Sequence, residues 1–137
     1  MEKMIAPPRQ RLQELRNALL VLHKALLDTE RAGYEKAVGA IRSPNHFLQL
    51  LIRDPWFDWL RPLSQLIVTL DEALDAKEPL TNASMSVLVD QTGRLLVASE
   101  VGEGFPKRYF DALQRDPGVV LAHAEVAKLL GSRKGPG

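Results

Sequence analysis

His23 and Glu30 lie seven residues apart, with Leu27 between them and Tyr34 one turn further on. On a helix this spacing puts an imidazole, a carboxylate and a phenol on one face. The chain has three histidines, and another of them, His123, falls in phase with Val120, Ala127 and Leu130 on the expected inner face of the last helix. If those two helices pack together, two imidazoles and a carboxylate converge in the core. Such a group could bind a divalent metal, contact a small ligand or tune a general base. The spacing disfavours a metal. Carboxylate-bridged di-iron bundles repeat Glu-x-x-His and helical zinc sites pair histidines at i and i+4, and neither pattern occurs in this chain. The competing reading of the pair is structural, with the histidine hydrogen-bonded to the carboxylate or to a backbone carbonyl. No metal and no cofactor is implied.

The segment Asp54–Leu66, DPWFDWLRPLSQL, holds both tryptophans, Phe57, two prolines and the pair Asp58 and Arg61. Aromatic rings bury more area per residue than other side chains, so this stretch is expected to anchor the fold. Trp56 follows the core stripe, whereas Trp59 sits on its flank beside Arg61. A tryptophan next to an arginine has the composition of a protein-contact hot spot. That reading requires Trp59 and Arg61 to be exposed while Trp56 is buried; core packing with a local Asp58–Arg61 pair is the alternative.

Other candidates are weaker. Gly102-Glu-Gly104-Phe-Pro-Lys-Arg precedes a helix, but Lys107 occupies the place of the third glycine of a dinucleotide loop, so it reads as a connector. There is no G-x-S-x-G, and Ser64 has no histidine near it in sequence. Asp71, Glu72 and Asp75 suit a solvated helix face. No catalytic residue is assigned.

The elements that position these residues read as helices. Leu12, Leu15, Leu19, Leu22 and Leu26 alternate spacings of three and four, which predicts an amphipathic helix from about Arg9 to Val38, with Gly39 as its stop. Ser43-Pro44, Asp54-Pro55 and Asp116-Pro117 each set a capping oxygen before a proline, the preferred chemistry of a helix start. Trp56, Leu60, Leu63, Ile67, Leu70 and Leu74 hold one phase across Pro62, which predicts a single helix kinked there. Asn82–Ser99 fits either a helix with Met85, Leu88, Val89, Thr92, Leu95 and Leu96 on one side or a hairpin turning at Gly93. An isolated hairpin among helices is marginal, so helix is favoured. After a loop over Glu100–Pro106, one helix carries Tyr109, Phe110 and Leu113. The last helix carries Val119, Val120, His123, Ala127 and Leu130 inward and ends at Gly131.

Composition narrows the function classes. The 137 residues suit one domain, 45% of them hydrophobic and 26% charged, with a net charge of +1 that offers no global field for nucleic acid or an acidic membrane. The basic residues gather near the ends, at Arg9, Arg11 and Arg16 and at Lys128, Arg133 and Lys134, which reads as solubility. Without cysteine there is no disulfide, thiolate zinc site or cysteine nucleophile. The start has no signal-peptide core, and Ala18–Leu27 is broken by His23 and Lys24. A cytoplasmic protein is expected.

The runs LHKALLDTERAGYE, LLIRDPWFDWLRPLSQLIVTLDEAL and DALQRDPGVVLAHAEV resemble a group of small bacterial helical proteins with no established activity. The resemblance covers Leu22 to about Leu130 and is most specific at Asp54-Pro55-Trp56-Phe57 and Arg61-Pro62-Leu63. It implies a helical fold and carries over no cofactor, partner or site residue. The expectation is one all-α domain, a bundle of five to six helices framed by two long ones, with residues 1–8 and 131–137 flexible. Its leading function is binding another protein or itself without catalysis, through Trp59 and Arg61. A small-ligand or metal site built on His23, Glu30, Tyr34 and His123 is the alternative, and an enzyme using that pocket a weaker third. Nucleic acid and membrane are not expected partners.

Overall fold

The computed structural model describes residues 6–131. Those residues form six α-helices and one 3₁₀ helix: α1 Pro8–Ala37, α2 Pro44–Arg53, the 3₁₀ helix Pro55–Leu60, α3 Arg61–Asp75, α4 Asn82–Leu95, α5 Phe105–Arg115 and α6 Pro117–Gly131. No strand occurs among the described residues, so the chain is an all-α bundle. Pro8 already belongs to α1 and Gly131 closes α6; the rest of the expected flexible leader and tail lies outside the described residues, apart from Ala6 and Pro7.

The leucine stripe makes α1 the spine. Leu12, Leu15, Leu19, Leu22 and Leu26 are at most 1% exposed, and each such side chain contributes roughly 1.5–3 kcal/mol through removal from water. α1 packs most extensively on α6 and then on α3; α4 lies against α3 and α1, α5 against α6 and the 3₁₀ helix, and α2 against the 3₁₀ helix. α1, of 30 residues, is the one long helix among the described residues; α3 and α6 have 15 each, and α3 runs antiparallel to α1.

The three proline starts behave as their chemistry requires. Ser43 Oγ accepts from the His46 amide at 3.0 Å, Asp54 Oδ1 from the Trp56 amide at 2.9 Å and Asp116 Oδ1 from the Gly118 amide at 2.8 Å. Residues 82–95 are helical because Thr81 caps them, its hydroxyl accepting from the Ser84 amide at 3.0 Å, while Met85, Leu88, Val89 and Thr92 turn inward. The connector to α5 turns at Gly102 and Gly104, whose φ angles of 90° and 79° a side chain would oppose.

Two expectations are corrected. The path through Pro62 is continuous, but Pro55–Leu60 is a 3₁₀ helix that passes into α3 at Arg61. Pro62 has no amide for the carbonyl of Asp58, which instead accepts from the Arg61 amide in the tighter i→i+3 pattern. Phe57, 3% exposed, is buried with Tyr34 and Ile41 in a smaller cluster on which the half-buried Trp56 packs, so Trp56 does not join Leu60 and Leu63 in the leucine core as its spacing predicts. In α6 the buried residues are Val119, Ala122 and Val126, while Val120 and Ala127 face outward. Small side chains at Ala122, Ala18 and Ala25 suit the close approach of α6 to α1.

Candidate functional site

One face of α1 presents Arg9, Arg16, His23 and Glu30 at steps of seven residues. Each meets a group on α3 or the 3₁₀ helix, in descending order because the helices are antiparallel. Arg9 Nη1 donates to the Leu74 carbonyl at 2.6 Å, relieving an unpaired carbonyl at the end of α3. Arg16 Nε donates to Asp71 Oδ1 at 2.7 Å, and His23 Nε2 shares a 2.9 Å hydrogen bond with Ser64 Oγ. Trp59 Nε1 donates to Glu30 Oε1 at 2.9 Å. His23 and Glu30 do share a face, as their spacing predicts, but that face is a polar seam between helices.

Glu30 is the most connected group of the seam. It is 6% exposed, and its second carboxylate oxygen accepts from Arg115 Nη2 at the end of α5. Arg115 Nε also donates to Thr29 Oγ1 at 3.1 Å, and Trp56 Nε1 donates to the Glu30 backbone carbonyl at 3.2 Å. Both indoles thus end on one residue. From this point two chains of rings extend. Trp59, Phe105, Tyr109 and His123 follow one another at centroid distances of 5.3, 5.4 and 5.5 Å. Trp56, Tyr34, Phe57 and Phe47 follow at 5.7 Å per step, and the Arg31 guanidinium lies 4.9 Å from the Phe47 centroid. These edge and tilted contacts are the favoured geometries for aromatic rings and a cation.

The expected site residues are therefore dispersed into separate roles. Glu30 and Trp59 touch; Tyr34 lies with Trp56 and Phe57; Arg61 is exposed and pairs with Asp58 at 3.0 Å. His123 Nδ1 shares a 2.6 Å hydrogen bond with the Tyr109 hydroxyl, so the two histidines engage partners on different helices. No group of three or more histidine, aspartate and glutamate side chains stands together as metal ligands among the described residues. Burial lowers the pKa of His23 and of His123, favouring neutral rings, and raises that of Tyr109, which favours the protonated hydroxyl. A neutral His123 imidazole accepting from the Tyr109 phenol fits the directions of both groups.

His23 and Ser64 have the contact of a base and a hydroxyl nucleophile, a pairing hidden in sequence by a separation of 41 positions. A nucleophile of this kind also needs an orienting group on the other ring nitrogen and donors for an oxyanion. Neither accompanies the pair among the described hydrogen bonds. Arg115, the other residue that sequence reasoning missed, had only its place at a helix end to mark it.

Trp59 does not supply an outward anchor, because its N–H is held by Glu30 and its ring lies on Phe105. The exposed apolar surface lies instead on α2. Phe47, Leu48, Leu50, Leu51 and Ile52 fill half of this helix, yet no residue of α2 is buried. Phe47, Leu50 and Leu51 rest on Tyr34, Ile41 and Phe57, while Leu48 and Ile52, one turn apart, are 51% and 55% exposed. The outer side of α1 also shows Leu20 and Val21, but there Lys24 and Asp28 form a solvated ion pair at 2.8 Å. No helix among the described residues is long and apolar enough to cross a membrane. No protein-family model, no curated protein and no solved structure matches this chain.

Proposed function

We propose that this chain is a non-enzymatic helical bundle that binds another protein, or a second copy of itself, through the outer face of α2. The observation that carries the reading is the half-exposed pair Leu48 and Ile52 on a helix with no buried residue. Isolated apolar side chains are normal on a surface, but neighbours at i and i+4 form a continuous patch. The polar groups inside the bundle support the same reading, since Glu30, His23, Tyr109 and His123 are engaged with one another or with neighbouring helices. Trp56 and Trp59 then serve the docking helix indirectly, by fixing the 3₁₀ helix on which it rests.

A photo-crosslinking residue at Asn45, on the exposed side of α2, tests the proposal in living cells; Glu125 on α6 serves as the control position. Covalent protein adducts are expected at 45 and not at 125. Equal adducts at both positions, or none at 45, would overturn it.

A further inference from the structure

The charges around the α2 patch are unusual for a chain of nearly neutral composition. Residues 36–53 contain no aspartate or glutamate, and Lys36, Arg42 and Arg53 are exposed without a carboxylate partner among the described residues. The nearby acids are already engaged: Glu35 accepts from the Ile41 amide, Asp54 caps Trp56 and Asp58 pairs with Arg61. The docking helix is therefore apolar with a basic border.

A second apolar surface lies at the far end of α1, whose 30 residues span ~45 Å. There Ala73, Ala76, Pro79, Leu80, Val87 and Leu88 line an open groove of about 410 Å³ between the end of α3 and α4. Val87 is 57% exposed, and Glu78 lies at the edge of the groove. Glu72 and Asp75 are exposed on the adjoining turn, and all three carboxylates lack a cation partner among the described residues. Lys77 stands between them, so the segment 72–78 carries two excess negative charges from three acids and one lysine. Of the nearby arginines, Arg16 is paired with Asp71, whereas Arg9 donates to the neutral Leu74 carbonyl and keeps its charge, which leaves one excess negative charge at this end of the groove.

We propose that α2 of one molecule docks in the α3–α4 groove of a second copy, with Leu48 and Ile52 on the groove floor and the basic border against Glu72 and Glu78. This rests on the reading of α2 as a docking face and names its occupant. Charge selects the arrangement. Pairing α2 with another α2 would set Lys36, Arg42 and Arg53 against their own copies, and pairing groove with groove would oppose the carboxylates. Only the unlike pairing brings opposite charges together. Because the two surfaces differ and sit at opposite ends, each contact leaves one α2 and one groove free, and association continues head to tail. A helix of ten residues covers only ~15 Å, so the contact is small and weakened by salt.

Sedimentation velocity of the full chain across the micromolar to millimolar range tests this, at low and high sodium chloride. Species beyond the dimer are expected at low salt, receding at high salt. Arg42→Glu with Arg53→Glu should weaken association by roughly tenfold or more, as should Glu72→Lys with Glu78→Lys. All four positions are exposed, so the fold is retained. Mixing the two double variants should restore assembly, because each then meets the opposite charge. A wild-type monomer throughout the range, a symmetric dimer that stops at two, or a mixture that fails to reassemble would overturn the proposal. If crosslinks at Asn45 reach other proteins while the chain stays monomeric, α2 remains a docking face and the second copy is excluded as its occupant.

Discussion

Replacing Arg115 by alanine isolates the tie between α5 and Glu30. The carboxylate of Glu30 is nearly buried, whereas the Arg115 side chain is 45% exposed. Removing one partner of a fully buried pair costs about 3–5 kcal/mol, because the other charge is left without compensation. Here water reaches the guanidinium and Trp59 still donates to the remaining carboxylate, so the loss is discounted to about 2 kcal/mol. For a domain of this size that corresponds to a fall in Tm of ~6–10 °C. Glu30→Gln keeps an acceptor for Trp59 and removes the charge, at an expected cost of about 1 kcal/mol. The double variant should lose ~1 kcal/mol less than the sum, since each change removes the reason for the other. Urea titrations followed by both circular dichroism and tryptophan fluorescence give these values, and the fluorescence is local because both indoles end on Glu30. A loss below ~0.5 kcal/mol for Arg115→Ala, or strict additivity, would refute the reasoning.

Gly93 sits inside α4 with nothing within 4 Å of an added Cβ, so Gly93→Ala should stabilise by ~1 kcal/mol in a urea melt; a loss of stability would restore the hairpin reading of this segment. Gly33→Ala meets only the Trp56 ring at an ordinary 3.5 Å and should also raise the urea midpoint. Burial lowers the pKa of His23 and His123 in the folded chain, so the unfolded chain binds more protons below the ordinary value of 6.5. Their contribution is complete above that pH and is lost as pH falls through the lowered values. Stability measured from pH 7.5 to 5 should therefore decline, with a shallower decline in His123→Gln; an unchanged slope would show that this ring carries none of the effect.

What the sequence made legible follows from how local each signal is. The caps at Ser43, Asp54 and Asp116 act within three residues, and the leucines of α1 within one stripe, so both could be read directly. Read at α-helical pitch, Trp56 falls on the core stripe; in the 3₁₀ geometry of residues 55–60 it instead rests, half-buried, on the smaller cluster around Phe57. The phase of α6 was unreadable for another reason. Its residues are apolar on nearly every side, and only the proximity of α1 decides that Ala122 rather than Val120 faces inward. The spacing of His23 and Glu30 identified their shared face correctly, but not what lies across it. Ser64, Trp59 and Arg115 are separated from them by 41, 29 and 85 positions. No local pattern reports such separations.

The seam along α1 also bears on how uniquely α1 and α3 can be aligned. A stripe composed almost entirely of leucine is degenerate, since sliding α3 by one heptad would set leucine against leucine again. The four contacts at seven-residue intervals are all different: a guanidinium on a carbonyl, a guanidinium on a carboxylate, an imidazole on a hydroxyl and an indole on a carboxylate. A heptad slip that set Arg16 near Ser64 would bring Arg9 to Asp71, but it would leave Arg16 without a carboxylate and Glu30 without its indole donor. Repetition in the leucines supplies cohesion, and variety in the polar contacts makes one alignment distinguishable from the next.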